Sequence, residues 1–165
     1  MQNIVLIGFM GSGKSSLGRE IAKQSERYFL DTDSLIESNF DKSVSKIFTH
    51  FGEKEFRRQE GVLLRWLSVN VKSAVISTGG GMPIFHNVRD LGVVFYLEIA
   101  FEQILARLGA DTQFTRPLFS DENKARELYA SRLARYKEQA HFTLNAAKPL
   151  EVLAKEILDL SFNQA

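Results

Sequence analysis

Lys14 is the residue around which chemistry can be built. It closes the run Gly8-Phe9-Met10-Gly11-Ser12-Gly13-Lys14-Ser15, which fits G-x-x-x-x-G-K-[ST] at every fixed position. Glycines at 8, 11 and 13 permit positive φ and close backbone approach to phosphate oxygens. Successive N–H groups at a helix N-terminus then form an anion-binding concavity. The Lys14 ammonium suits the β- and γ-phosphates, and the Ser15 hydroxyl suits Mg²⁺. Ser16 reads as an N-terminal helix residue at the same end. Gly11, Ser12, Gly13, Lys14, Ser15 and Ser16 are therefore the first ATP-binding candidates.

Two carboxylates follow at Asp31 and Asp33. They lie just past an apolar run, where a doubly wound sheet gathers its ligands. If the chain stays extended, residues two apart point the same way. One carboxylate then suits Mg²⁺ through water, the other an acceptor hydroxyl whose proton it takes. Asp33 also reads as a helix N-cap ahead of Ser34-Leu35-Ile36. No Asp ends the third strand, so Asp31 is the natural Walker-B-type carboxylate. Further along, Arg57 and Glu60 are three apart on a helical pattern and share a face. On an arbitrary helix this is usually a solvated ion pair. Held by the carboxylate, the guanidinium can instead present a fixed fork to an anionic acceptor. Arg58 reads as a surface residue. Gly79-Gly80-Gly81 ends another apolar run, where close approach of backbone N–H groups to a ligand would repay the entropy cost.

The elements that must position these groups are legible in the apolar pattern. Strands are expected at Ile4–Ile7, Tyr28–Leu30, Ala74–Ser77, Val93–Leu97 and Phe142–Leu144. Each is short and lacks polar alternation, as in parallel strands buried on both faces. Helices are expected at about 15–24, 34–39, 43–51, 53–69, 101–108, 122–139 and 150–160, with Ser43 as an N-cap. Alternation of strand and helix implies βαβ units and a three-layer α/β/α sandwich. Residues 109–120 show no period and read as a long surface loop of the lid or binding kind. Trp66, near Leu63, Leu64 and Leu67, reads as core. His50, His86 and His141 lack metal-ligand spacing and read as surface or partly buried.

The whole chain sets limits. Its 165 residues form one ordinary domain, and a net charge of +1 gives no global case for nucleic acid or an anionic membrane. Absence of cysteine excludes disulfides and thiolate chemistry. No apolar run reaches the roughly 20 residues a membrane span requires. Met1–Ile4 shows no basic segment leading into an apolar core. A cytoplasmic location is expected.

Taken together, the motifs resemble the shikimate kinase family. Gly8–Ser15 matches its phosphate loop, Asp31-Thr32-Asp33 its Asp-Thr-Asp, and Phe56-Arg57-Arg58 with Glu60 its Phe-Arg-x-x-Glu. Gly79–Gly81 matches its glycine triplet, Arg116-Pro117-Leu118 its lid, and Arg132 with Tyr136 its late Arg-x-x-x-Tyr. The matches run in family order from residue 8 to 136. Ser15 stands for the commoner Thr, Ala134 for a frequent Pro, and Arg135 adds a second cation beside Arg132.

The resemblance implies a nucleoside-monophosphate-kinase-like fold with a five-stranded parallel sheet of order 2-3-1-4-5. It implies a single P-loop kinase domain over 1–165, with a lid at about 109–121 and a substrate-binding helical region at about 33–61. It implies transfer of the ATP γ-phosphate to the 3-hydroxyl of shikimate, a step of aromatic amino-acid synthesis, with Mg²⁺ as cofactor. Carried over by motif, the catalytic residues are Asp33, Lys14 and Arg116. Arg107 and Arg116 join the ATP site, Arg107 against adenine. Asp33, Arg57, Gly79, Gly80, Gly81 and Arg132 bind the acceptor, and Ser15 and Asp31 face the metal. ATP and shikimate are the expected partners, without nucleic acid or membrane, and a monomer is expected. Two other readings stay open: a kinase for another acid such as gluconate, and a non-catalytic nucleotide-binding protein. A GTPase switch is disfavoured, because Asn123-Lys124 is followed by Ala125-Arg126 and not by the guanine motif.

Overall fold

The computed structural model describes residues 1–110 and 121–162. Strand β1 (Ile4–Ile7) lies at the centre of the sheet and is fully buried. It pairs in parallel with β3 (Val75–Ser77) on one side and β4 (Val93–Glu98) on the other. The edges are β2 (Phe29–Asp31) beside β3 and β5 (Phe142–Asn145) beside β4. The order is β2-β3-β1-β4-β5, all parallel, as the family resemblance implies. β1, β3 and β4 lack polar alternation because helices cover both faces; the expectation fails at edge strand β5, where Thr143 and Asn145 are exposed in alternation with Phe142 and Leu144. Tyr28, expected to start β2, lies outside the strand and is 86% exposed.

Helix α1 (Lys14–Gln24) follows β1 and turns Leu17, Gly18, Ile21 and Ala22 inward. Its contact with β2 is tight. A methyl on Gly18 would overlap the Phe29 ring, which also carries the Arg19 guanidinium 5.0 Å above it. Gly18→Ala gains about 1 kcal/mol of helix propensity, yet overpacking here costs about 1–3 kcal/mol. Net loss of stability is expected, read as a lower urea midpoint at unchanged slope.

Helix α2 (Thr32–Phe40) starts two residues before the expected Ser34. Helix α3 (Val44–Asn70) is broken at Gly52, whose φ of 82° lies in the left-handed region. The two expected helices, 43–51 and 53–69, are its two arms. Ser43 caps it, accepting from the Lys46 N–H. Trp66 is not core: it is 53% exposed, with Val62 and Val69 exposed on the same outer side. Helical period alone does not say which of two apolar stripes faces the sheet, and Leu64 and Leu67 take that place.

After β3 come α4 (Met82–Phe85) and a 3-10 turn over Val88–Leu91, neither of which is anticipated from the pattern. Helix α5 (Phe101–Ala110) runs two residues into the stretch read as loop. Helices α6 (Glu122–Gln139) and α7 (Leu150–Phe162) complete the chain's order. Residues 111–120 of the lid expected at about 109–121, and with them Arg116, lie outside the described residues.

Candidate active site

The carboxyl ends of β1, β2 and β3 open into one pocket. Its lining includes Gly13, Lys14, Ser15, Asp31, Asp33 and Gly80. The phosphate loop forms as its composition requires. Gly11 and Gly13 hold φ of 80° and 95°, which side chains rarely adopt. Gly13 is the N-cap of α1, so the helix begins on Lys14 with its N–H groups directed at the pocket. Lys14 Nζ donates to the carbonyls of Gly8 and Phe9 at 2.8 and 2.9 Å, holding the ammonium over the loop.

Asp31 and Asp33 both reach this pocket, but not by strand alternation. The chain turns helical at Thr32, and Asp33 sits in the first turn of α2. The N-cap is Asp31, not Asp33. Asp31 Oδ1 accepts from the N–H groups of Asp33 and Ser34 at 3.0 and 3.1 Å. Its other oxygen, Oδ2, accepts from the Ser15 hydroxyl at 3.2 Å. Capping with one oxygen leaves the second aimed at the phosphate end of α1. Two hard oxygen donors side by side suit Mg²⁺. Among the described residues no group of three or more His, Asp or Glu could hold a metal, so nucleotide oxygens or water must complete any such shell.

Asp33 is the strained member. Its Oδ1 is buried and has no hydrogen-bond partner among the described residues. Burial pushes its pKa up to about 6. Asp31 and Glu37 add to the rise, and Lys14 and Arg57 work against it. Gly79 packs against this carboxylate so closely that a Cβ there would overlap Asp33 Oδ1. The Gly79 N–H donates at 2.9 Å to the hydroxyl of the fully buried Thr32. Thr32 thus ties the Asp-Thr-Asp segment to the glycine triplet, a role its position between two aspartates did not announce.

Arg57 is not a solvated ion-pair residue. Its Nη1 donates to both Glu60 oxygens at 2.9 and 3.0 Å, and the Glu60 side chain is only 1% exposed. Burial lifts Glu60 to about 7 against the opposing pull of Arg57. Nε and Nη2 of Arg57 both donate to Glu53 Oε1, at 3.2 and 3.1 Å. Glu53 is 57% exposed. So a buried Glu60 holds one side of the guanidinium, and an exposed Glu53 holds its Nε–Nη2 edge. Glu53 was not singled out, although Glu53 and Arg57 are four apart on one helix face. The Phe85 ring lies 4.4 Å from the Arg57 guanidinium. At Gly81 a Cβ would come 2.5 Å from Arg57 Nη1. The glycine triplet is therefore small on one side for Asp33 and on the other for Arg57.

Arg132 reaches the same region from α6. It is buried, with its guanidinium 5.8 Å from the Phe9 ring and beside Gly80. Arg135 instead pairs with Glu138 at 2.8 Å, so of these two cations it is Arg132 that lies against the glycine triplet. Tyr136 OH donates to the Gly80 carbonyl at 2.6 Å and locks the triplet to α6. Arg107 crosses the back of the phosphate loop. It donates to the Ser12 carbonyl at 3.3 Å and the Ala146 carbonyl at 2.7 Å, joining α5 to the segment after β5. Arg58 is a surface residue paired with Glu55.

The shikimate kinase family model matches residues 10–161. The chain belongs to the shikimate kinase family. The shikimate kinase of Helicobacter hepaticus (strain ATCC 51449 / 3B1) is 55% identical over 158 residues, 95% of each chain. The structure of shikimate kinase from Acinetobacter baumannii in complex with shikimate superposes with a TM-score of 0.86 at 35% identity. That match covers 99% of this chain and 94% of the other. A gluconokinase from Sinorhizobium meliloti 1021 aligns with a TM-score of 0.62 at 16% identity, over 99% of this chain and 95% of that one. It shares the fold alone. Of the motifs quoted above, the phosphate loop, Asp31, Asp33, Gly79 and Gly80 line one pocket, and Arg57 and Arg132 lie against Gly81 and Gly80 beside it; the family is one of ATP-dependent phosphotransferases. Among the described residues no helix is long and apolar enough to cross a membrane.

Proposed function

We propose that the chain transfers the γ-phosphate of ATP to the 3-hydroxyl of shikimate, giving shikimate 3-phosphate and ADP. The observation that carries this reading is the glycine triplet, against whose successive residues lie Asp33 at Gly79, Arg132 at Gly80 and Arg57 at Gly81. Two largely buried guanidiniums select an anionic acceptor, and the carboxylate beside the same triplet selects its hydroxyl. A gluconate-type acceptor shares the acid and the hydroxyls, so the acceptor is what an experiment must decide.

In this reading the phosphate loop binds the triphosphate through its N–H groups. Lys14 leaves the Gly8 and Phe9 carbonyls to meet the β- and γ-phosphates. Ser15 and Asp31 would hold Mg²⁺, which when bound neutralises phosphate charge as it builds. Ser12, Gly11, Gly13 and Ser16 border the phosphates, and Arg107 borders the base. Arg57, Arg132 and the N–H groups of Gly79 to Gly81 orient the acceptor. Its hydroxyl oxygen attacks the γ-phosphorus in line, the bond to the ADP oxygen breaks, and the hydroxyl proton passes to Asp33. With a pKa near 6, Asp33 is ionised at neutral pH yet basic enough to take that proton. Arg116 is assigned charge neutralisation at the transferring phosphoryl, and exclusion of water to the lid that carries it.

The test is ADP release with Mg·ATP, alone and with shikimate, quinate or gluconate. Stimulation by shikimate alone supports reaction and acceptor together. Stimulation by gluconate or quinate alone keeps the kinase and moves the acceptor. ATP binding without stimulation by any acid leaves a nucleotide-binding protein and defeats the proposal.

A further inference from the structure

His86 lies outside the motifs, directly after α4, and its ring is built into the structure. Nε2 is 2.9 Å from the Arg57 carbonyl. A carbonyl only accepts, so the proton sits on Nε2. A carbonyl also has two lone pairs, so this bond does not compete with the helix ladder. The same nitrogen is 3.6 Å from Glu60 Oε2. The ring therefore touches both members of the Arg57–Glu60 pair from behind. Burial, with Arg57 and Arg65 nearby, pushes His86 below its ordinary pKa, which keeps it in the neutral, donating form.

Two further observations point the same way. Gly61 sits inside α3, where a glycine costs about 1 kcal/mol relative to alanine. A Cβ there would stand 3.1 Å from His86 Cε1. The glycine leaves the notch into which the ring fits. On the other side, Gln139 on α6 is 2% exposed and grips the backbone around His86. Its Nε2 donates to the His86 carbonyl at 3.3 Å, and its Oε1 accepts from the Val88 N–H at 3.0 Å. Gln139 and Arg132 share α6. A continuous chain of hydrogen bonds thus runs from α6, which carries Arg132, through His86 to the turn of α3 that carries Arg57.

We propose that His86 is a positioning residue for the acceptor: with Gln139 and the Gly61 notch it forms a strut that sets Arg57 relative to Arg132. The inference rests on the reading of these two arginines as the clamp for the acceptor carboxylate. A strut of this kind acts on acceptor binding and leaves the nucleotide side untouched, because neither His86 nor Gln139 lines the phosphate pocket.

Steady-state kinetics with both substrates varied tests it, on His86→Ala, His86→Gln, Gly61→Ala, the His86→Ala/Gly61→Ala double variant and Arg57→Ala. His86→Ala should raise the shikimate KM about tenfold, the equivalent of one lost hydrogen bond, with the ATP KM and kcat changed by less than about twofold. His86→Gln should restore most of the acceptor KM, since its amide N–H can reach the Arg57 carbonyl. Gly61→Ala should raise the acceptor KM in the wild-type background and do nothing further in His86→Ala, because the ring it displaces is gone. As alanine favours the helix, Gly61→Ala also gives a folded test if His86→Ala does not fold. An unchanged acceptor KM in both single variants, additive effects in the double variant, or equal rises in both KM values would overturn the strut. If Arg57→Ala leaves the acceptor KM unchanged, the clamp fails and the strut with it. If Arg57→Ala raises it and His86→Ala and Gly61→Ala do not, the strut alone fails.

Discussion

Asp33→Asn lowers kcat by about 10²–10⁴-fold, the range for loss of a positioned general base, and makes the folded protein more stable at pH 8. Both effects have one cause. The folded environment raises the Asp33 pKa from 3.8 to about 6, chiefly by burial. The native state therefore binds the Asp33 proton more tightly than the unfolded chain does. Stability falls as pH rises between those two values, and the deficit persists above them. A shift of about 2 units bounds the deficit at about 3 kcal/mol, and residual solvent access reduces it to about 1–3 kcal/mol. Asparagine carries no charge to strand, so its advantage grows between pH 4 and 6 and is complete above 6. Urea denaturation of both proteins at pH 4 and pH 8 measures it. In the wild type kcat/KM should fall on the acid side with a pKa near 6. Equal stability differences at the two pH values would show that Asp33 is not strained. A kcat within tenfold of wild type would remove it as the base.

Arg57→Lys raises the acceptor KM by about 10²-fold or more and leaves the ATP KM unchanged. An ammonium is a point charge with no planar edge. It can meet Glu60 or a ligand carboxylate but cannot donate in parallel to both, as Arg57 does to Glu60 and Glu53. Each lost charge-assisted hydrogen bond is worth about 1.5–3 kcal/mol, so one or two suffice for the predicted factor. Glu60 keeps a cation but loses the fixed contact of Nη1 with both its oxygens, and thermal unfolding should show a modest destabilisation. Steady-state kinetics with each substrate varied in turn check the effect. An acceptor KM equal to that of the wild type would mean that Arg57 only staples α3.

How much of this site the sequence displayed depends on the range of the interaction. The phosphate loop was readable because its parts are contiguous: β1, the glycines and α1 follow one another within about 20 residues. The Arg57–Glu60 pairing was readable for the same reason, since helical geometry brings residues three apart together. Its meaning was not. An i,i+3 pair is solvated on most helices, and only packing against α4 and the glycine triplet buries Glu60 and makes the pair a held fork. Cap preference is shared by both aspartates and does not choose between them; the helix starts at Thr32, with Asp31 as its cap, and the Thr32 hydroxyl accepts from Gly79 beyond β3, a contact no local spacing shows. Trp66 fell on the wrong side for a related reason: periodicity defines stripes, and the sheet chooses among them.

By itself the sequence determined the family, the order of the strands through that family, and the residue types available for phosphate, proton and carboxylate. The residue types and the alternation of strand and helix follow from local spacing and hydrophobic period, which are properties of neighbouring residues; the strand order is what the family resemblance implies. The tertiary structure alone decided that Asp33 is desolvated, that Arg132 and not Arg135 lies against the glycine triplet, and that His86 bonds to the Arg57 carbonyl. Each of these depends on contacts between residues at least 29 positions apart, or on burial by several elements at once. Desolvation and long-range hydrogen bonding exist only once the chain has closed on itself, and no local pattern encodes them.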